Sequence, residues 1–187
     1  MNALGINRKQ TDFWWVLFIF LLRIARVSIT YMIKIIRTNA EDPDFRILVK
    51  SLDADLAIRD GEEHSFYAPF NKIDNIRYAV VAYENEIPLG CGAIKEYGAD
   101  TMEIKRMYVS PECRGKGIAT KILAELENWA RELSFTTCIL ETGKKQPEAI
   151  ELYKKNSYKR IPNYGQYARA ENSVCFDKEL KQKSKAE

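Results

Sequence analysis

The stretch EIKRMYVSPECRGKGIATKILAELENWAREL, Glu103 to Leu133, decides the fold. Glu103–Val109 reads as a strand, and Ser110-Pro111 ends it. From Ile118 onward the period changes: Ile122, Leu123, Leu126, Trp129, Ala130 and Leu133 share one face of a long helix. Between the two lies Arg114-Gly115-Lys116-Gly117. A helix start leaves backbone N–H groups unpaired and concentrates about half a positive charge there. Glycines let an anion approach those groups without a Cβ in the way. Arg114 and Lys116 add formal charge, so the loop fits a pyrophosphate. It has neither the spacing of a nucleotide P-loop nor the three-glycine turn of a dinucleotide fold. On its own, such a loop would serve equally as a tight turn into a helix. Its surroundings separate the two readings.

Upstream, Ile33–Arg37 alternates and is β-branched, which predicts a strand. Asp42-Pro43 starts a helix, with Asp as N-cap and Pro in the first turn. Phe45, Leu48, Val49, Leu52 and Leu56 follow at helical spacing, and Gly61 ends the helix. Glu62 to Phe70 predicts a second, short helix, stopped near Pro69. Arg77–Tyr83, Ile87–Tyr97 and Thr101–Val109 form an antiparallel meander with turns at Glu84–Glu86 and Gly98–Asp100, and Gly90 and Gly92 tolerate a bulge. Downstream, Thr136–Glu141 is a buried-type strand and Pro147 opens another helix with Ala149, Ile150, Leu152 and Tyr153. Asn156 is expected in the left-handed conformation that closes this helix. Ser173–Asp177 is the last strand, and Lys178–Glu187 is expected to fray. The order predicts an α/β domain of the α+β type, a mixed sheet with helices on both faces.

Arg114, Gly117 and Ala119 occupy the fixed positions of the [R/Q]xxGx[G/A] signature, and the chain from residue 33 to 180 resembles the GNAT superfamily of N-acetyltransferases. Leu140-Glu141-Thr142-Gly143, Gln146–Ile150 and Leu152-Tyr153 look like that family's later strand and helix. The resemblance implies a mostly antiparallel central sheet. Its central strand and Thr136–Glu141 would be parallel neighbours that splay apart to take the pantetheine arm of acetyl-CoA, the acyl donor. Main-chain groups of Met107, Tyr108 and Val109 would then meet the acetyl carbonyl and pantetheine. Loop amides through Arg114, Gly115, Lys116, Gly117, Ile118 and Ala119 would hold the pyrophosphate. Gln146 stands where the family commonly has Asn at a pantetheine contact, and Ser157 replaces the usual glycine after the helix.

Acetyl transfer to an amine needs a proton acceptor, oxyanion stabilisation and a proton for the departing thiolate. By the resemblance, Tyr153 points at the sulfur. A phenol near ~10 can donate to a thiolate whose conjugate acid lies near ~8.5. The oxyanion is expected to meet a backbone N–H near Met107–Val109. Glu103 is the candidate base, eleven positions before Arg114, with Lys105 and Met107 on its face by strand alternation. The alternative for Glu103 is a carboxylate merely paired with Lys105, and Glu141 is the second candidate base. Phe66, Tyr67, Tyr164 and Tyr167 are expected to wall the acceptor, with His64 and Phe70 nearby; residues of this kind also serve as ordinary lid packing.

Residues 1–37 carry six basic residues and one acid, so the remaining 150 residues bear −2 of the chain's net +3. That balance argues against nucleic acid as a partner. Phe13–Leu22 is an unbroken apolar run of ten residues, about half a bilayer in length as a helix. Continuation would bury Arg23 and Arg26. The sequence therefore divides into an arm at 1–31, a catalytic domain at 32–180 and a charged tail at 181–187. Met32 is expected to be the translation start, with the arm outside the working protein. An interfacial anchor through residues 13–31 is the alternative, and a membrane-spanning helix a third reading. Cys91, Cys113, Cys138 and Cys175 have no metal-site spacing, and with the single His64 they predict no metal. Reduced thiols imply a cytoplasmic protein, or one at the cytoplasmic face of a membrane if the arm anchors it. A monomer or homodimer is expected. The favoured acceptor is a small-molecule primary amine. The alternatives are a protein lysine or N-terminus, and an acyl-CoA-binding module without turnover.

Overall fold

A computed structural model describes residues 32–181. The arm at 1–31 and the tail from 182 onward lie outside the described residues. Among the described residues no helix is long and apolar enough to cross a membrane.

The chain runs β1 (Lys34–Thr38), α1 (Pro43–Asp60), a short α2 (His64–Tyr67) between two 3-10 turns, and the meander β2 (Tyr78–Glu84), β3 (Ile87–Glu96) and β4 (Thr101–Val109). It continues through α3 (Ile118–Glu132), β5 (Thr137–Gly143), α4 (Pro147–Lys155), β6 (Lys159–Ile161) and β7 (Ser173–Glu179). One sheet of seven strands results, in the order β1-β2-β3-β4-β5-β7-β6. Among the described residues only β4 and β5 pair in parallel.

Local chemistry sets the boundaries. The Asp42 carboxylate caps α1 by accepting from the Phe45 amide at 2.8 Å, and Gly61 closes it at φ 61°. Asn85 and Glu86 both take positive φ, which matches a two-residue turn to the twist of β2 and β3. Alternation along β2 divides the core. Ala79 and Val81 meet Phe45, Leu48 and Val49 of α1, whereas Val80 and Ala82 join Ile122, Leu123 and Leu126 of α3. Gly92 lets α3 lie close to β3: a Cβ there would fall 2.6 Å from Met107 Sδ and 2.7 Å from Ile122 Cγ2.

Four expectations need correction. The predicted helix at 62–70 is helical only at His64–Tyr67, flanked by 3-10 turns at Gly61–Glu63 and Ala68–Asn71, because Pro69 interrupts it. Asn156 has φ −94°, and Ser157 takes the left-handed turn at φ 69°. Tyr158 N–H then reaches the Tyr153 carbonyl at 3.0 Å and closes α4 without glycine. The chain does not fray at Lys178: β7 runs to Glu179, and buried Leu180 donates its amide to the Thr136 carbonyl at 2.7 Å. β6 was not expected at all. It is three residues, Lys-Arg-Ile, on a sheet edge, too short and too charged to show a period.

Candidate active site

The parallel pairing of β4 and β5 covers Thr101–Ile104 against Thr137–Leu140 and stops there. Both strands continue, β4 as Lys105–Val109 and β5 as Glu141–Gly143, with no ladder between them. The expected splay is therefore present. A cleft of about 510 Å³ opens from this gap and reaches the start of α3 and the inner face of α4.

At its α3 end the cleft meets the loop that the sequence marks as a candidate anion cradle. Gly115 and Gly117 sit at φ 77° and 76°, in the left-handed region, with open space where a Cβ would stand. Gly117 is the N-cap of α3 and supplies no capping side chain. Among the described residues nothing accepts a hydrogen bond from the amides of residues 115–120. Six consecutive donors at the positive end of a 15-residue helix thus remain unpaired. Lys116 forms no ion pair among the described residues and is exposed beside them. Arg114 is exposed as well but is held by two contacts. Its Nε donates to the Val109 carbonyl at 3.0 Å, and its guanidinium lies 3.6 Å from Asp55. Arg114 thereby ties the end of β4 to α1. These residues fit coenzyme A: a diphosphate on the amides and a pantetheine arm in the gap, past Gln146 and Tyr153, which both line the cleft.

β4 carries a bulge that the alternation argument missed. Cys91 faces Tyr108 and Ala93 faces Lys105, so Arg106 and Met107 together oppose Gly92. Arg106 absorbs the extra residue at φ 57°. Side chains beyond it change face. Met107 joins the α3 side, and Tyr108 the α1 side. Met107 therefore does not share a face with Glu103 and Lys105.

Tyr153 is 5% exposed, with its ring against Tyr158 and Phe176. Burial, and then the charge of Glu141, push its phenol well above the ordinary value, so it keeps its proton. Glu103 does not line the cleft. One of its oxygens accepts from Lys105 at 3.2 Å and the other from Tyr164 at 3.1 Å. Glu141 does line it. Its Oε1 accepts from Ser173 Oγ at 2.5 Å, and Ser173 Oγ also shares a hydrogen bond with Tyr67 Oη at 3.2 Å.

The aromatic residues form a continuous band rather than an even wall. Tyr67 and Tyr167 line the cleft; Phe66, which is exposed, and Tyr164 do not. Edge-on contacts run from Tyr67 to Phe66 at 4.9 Å, Phe66 to Phe70 at 5.5 Å, Phe70 to Tyr167 at 5.8 Å and Tyr167 to Tyr164 at 5.8 Å. Polar contacts join the elements on either side. Arg59 meets Glu148 at 2.6 Å, and Asn172 donates to Glu63 at 2.7 Å. His64 lies 3.7 Å from Asp60 and does not line the cleft. Asp60, Asn71 and Ser173 at this end carried no motif. Only Ser173's place at the head of a strand that pairs with Gly143 brings it to Glu141.

Comparison with known proteins agrees with this geometry. The chain is 40% identical over 86 residues to YjgM, an uncharacterized N-acetyltransferase of Escherichia coli (strain K12). That match covers 45% of this chain and about half, 52%, of the relative. It is 34% identical over 111 residues to the IAA acetyltransferase of Azospirillum brasilense, covering 57% of this chain and 69% of that protein. A crystal structure from Klebsiella pneumoniae subsp. pneumoniae MGH 78578, assigned to the acyl-CoA N-acyltransferases, superposes with a TM-score of 0.67 at 30% identity, over 80% of this chain and 99% of that one. The PaiA N-acetyltransferase of Thermoplasma acidophilum, solved with coenzyme A, shares the fold at a TM-score of 0.62 and 18% identity, over 79% of this chain and 99% of that one. The sequence model of the acetyltransferase (GNAT) family matches residues 43–158, the span that holds the splayed strands, the cradle and Tyr153, and the chain belongs to that family.

Proposed function

We propose that this protein transfers an acetyl group from acetyl-CoA to a primary amine on a small molecule, by direct attack within a ternary complex. The observation that carries the reading is the run of six unpartnered amides where two left-handed glycines open into α3, continuous with the gap between β4 and β5. Acetyl-CoA supplies an activated acyl carbon on a sulfur leaving group. The protein supplies the rest. The amides of residues 115–120 and Lys116 bind the diphosphate. The unladdered edge of β4 at Met107–Val109 offers main-chain groups to the pantetheine and to the developing oxyanion. Tyr153, kept protonated by its burial, donates to the departing sulfur.

A small acceptor is favoured over a protein one by the band from Tyr67 to Tyr164 and by the Arg59–Glu148 and Asn172–Glu63 contacts. Tyr67 and Tyr167 of that band line the cleft together with Glu141 and Tyr153. The test is titration with coenzyme A by calorimetry, followed by thiol release from acetyl-CoA with a panel of amines and lysine peptides. Saturable coenzyme A binding and faster release with small amines are expected. No binding, or release with peptides alone, would refute the reading.

A further inference from the structure

We propose that Glu141, held by Ser173, is the residue that removes the proton from the acceptor amine, while Glu103 serves to hold Lys105 and Tyr164. This rests on the acetyl-transfer reading and assigns its missing base.

The geometry distinguishes the two carboxylates. Glu103 is 6% exposed, lies outside the cleft lining, and has a donor on each oxygen. A proton acceptor in that position would first have to release Lys105 or Tyr164. Glu141 stands on β5 at the point where the ladder to β4 has just ended, so its side chain borders the gap. Ser173 occupies Oε1, and among the described residues nothing donates to Oε2. Tyr67 Oη lies 3.2 Å from the Ser173 hydroxyl, and with the Ser173 proton given to Glu141 the phenol is left as the donor between those two. One oxygen is thus anchored and the other is free inside a cleft shared with Tyr153.

The surrounding charges set when that oxygen can accept. Burial pushes the Glu141 carboxyl up to about 7, against the Ser173 bond and the Lys105 charge, with Glu103 and Asp60 pushing further upward. Tyr67 from α2, Tyr153 from α4, Tyr167 from the turn before β7 and Cys175 on β7 also feel Glu141. All four are raised by burial first and by Glu141 in addition, and stay neutral near pH 7. A base poised near the working pH is the efficient one.

The step balances as follows. A bound ammonium gives one proton to Glu141 Oε2 and becomes the nucleophile. Its nitrogen bonds to the acetyl carbon, and the carbon–sulfur bond breaks. The second nitrogen proton replaces the one that Tyr153 passes to sulfur. The amide retains the third, and Glu141 later releases the first to water.

The test compares Glu141→Gln, Glu103→Gln and Ser173→Ala, using the amine that the release assay selects. Wild type should show kcat/KM rising with pH through about 7. Glu141→Gln should remove that limb and lower the plateau by roughly 10²-fold or more. Glu103→Gln should keep the limb. Ser173→Ala should move it to higher pH, a response that loss of packing alone would not produce. A limb that survives in Glu141→Gln, or disappears in Glu103→Gln, overturns the assignment. The carboxyl can also be followed without any acceptor, by carbon-13 NMR of the glutamate-labelled full chain. A resonance titrating near 7 and missing from Glu141→Gln is expected; a Glu141 resonance titrating below 5 overturns the assignment. Absence of coenzyme A binding in wild type would instead count against the acetyl-transfer reading.

Discussion

Glu141 should cost the protein stability at the pH where it is useful, and that cost can be measured without any substrate. The perturbation is Glu141→Gln, which keeps an acceptor for Ser173 and removes the charge. The carboxyl goes from 4.5 in the unfolded chain to about 7 in the fold. At about 1.4 kcal/mol per tenfold change in proton affinity, that gap corresponds to roughly 3 kcal/mol, to be discounted to about 2 because Glu141 borders an open cleft. The sign follows from proton binding. Between 4.5 and about 7 the folded state holds more protons than the unfolded one, so stability falls as pH rises through that window. Below it the carboxyl is protonated in both states and contributes nothing. The assay is denaturant unfolding of wild type and Glu141→Gln at pH 4.5 and pH 8. Packing differences between Glu and Gln are present at both pH values and cancel in the comparison. The variant should gain about 2 kcal/mol relative to wild type on going from pH 4.5 to pH 8, a Tm difference of roughly 4–8 °C. An equal difference at both pH values would refute the claim that burial holds this carboxyl near neutrality.

Three further outcomes follow from the same geometry. Gly117→Ala places a Cβ at φ 76°, which should destabilise the fold by about 1–2 kcal/mol and weaken coenzyme A binding at least tenfold, read by calorimetry. Gly92→Ala puts a Cβ within 3 Å of Met107, Ile122 and Leu126, and denaturant melts should show a loss of about 1–3 kcal/mol. Tyr153→Phe should lower kcat while leaving the calorimetric affinity for acetyl-CoA unchanged, and an unaltered kcat would remove the phenol from the chemistry.

The parts of the fold visible in the sequence are those with a local cause. Asp42-Pro43 announces α1 because cap and first-turn chemistry are written in adjacent letters. The 118, 122, 123, 126, 130 spacing announces α3 because a helix repeats its buried face. The cradle is legible for the same reason: two glycines, a strand before and a helix after. What stayed hidden depends on contacts across long sequence distances. Ser173 lies 32 residues from Glu141, and only the β5–β7 register joins them. Glu103 satisfied the spacing expected of a base, but its two partners come from position 105 and position 164, and the second is supplied by a loop with no pattern. Spacing located the carboxylate; it carried no information about whether its oxygens were free.

The bulge at Arg106 links these observations. A strand with an extra residue bends, and β4 parts from β5 just before the bulge, after Ile104. The bend therefore falls where the cleft begins. Left-handed backbone on a non-glycine residue costs about 1–2 kcal/mol, which a glycine at this position would avoid. What arginine adds is its side chain, which is 2% exposed and bonds Asp53 of α1, although its Nε is buried without a partner among the described residues. The guanidinium anchors α1 to the bent strand, and the Arg114–Asp55 contact anchors the same helix two residues further on. α1 then carries Leu52, Leu56 and Asp60 along the wall of the cleft. Glycine would relieve the backbone and release the wall. In the sequence Arg106 is one more residue of an alternating strand, because a bulge is written in the register of the neighbouring strand and not in the letter itself.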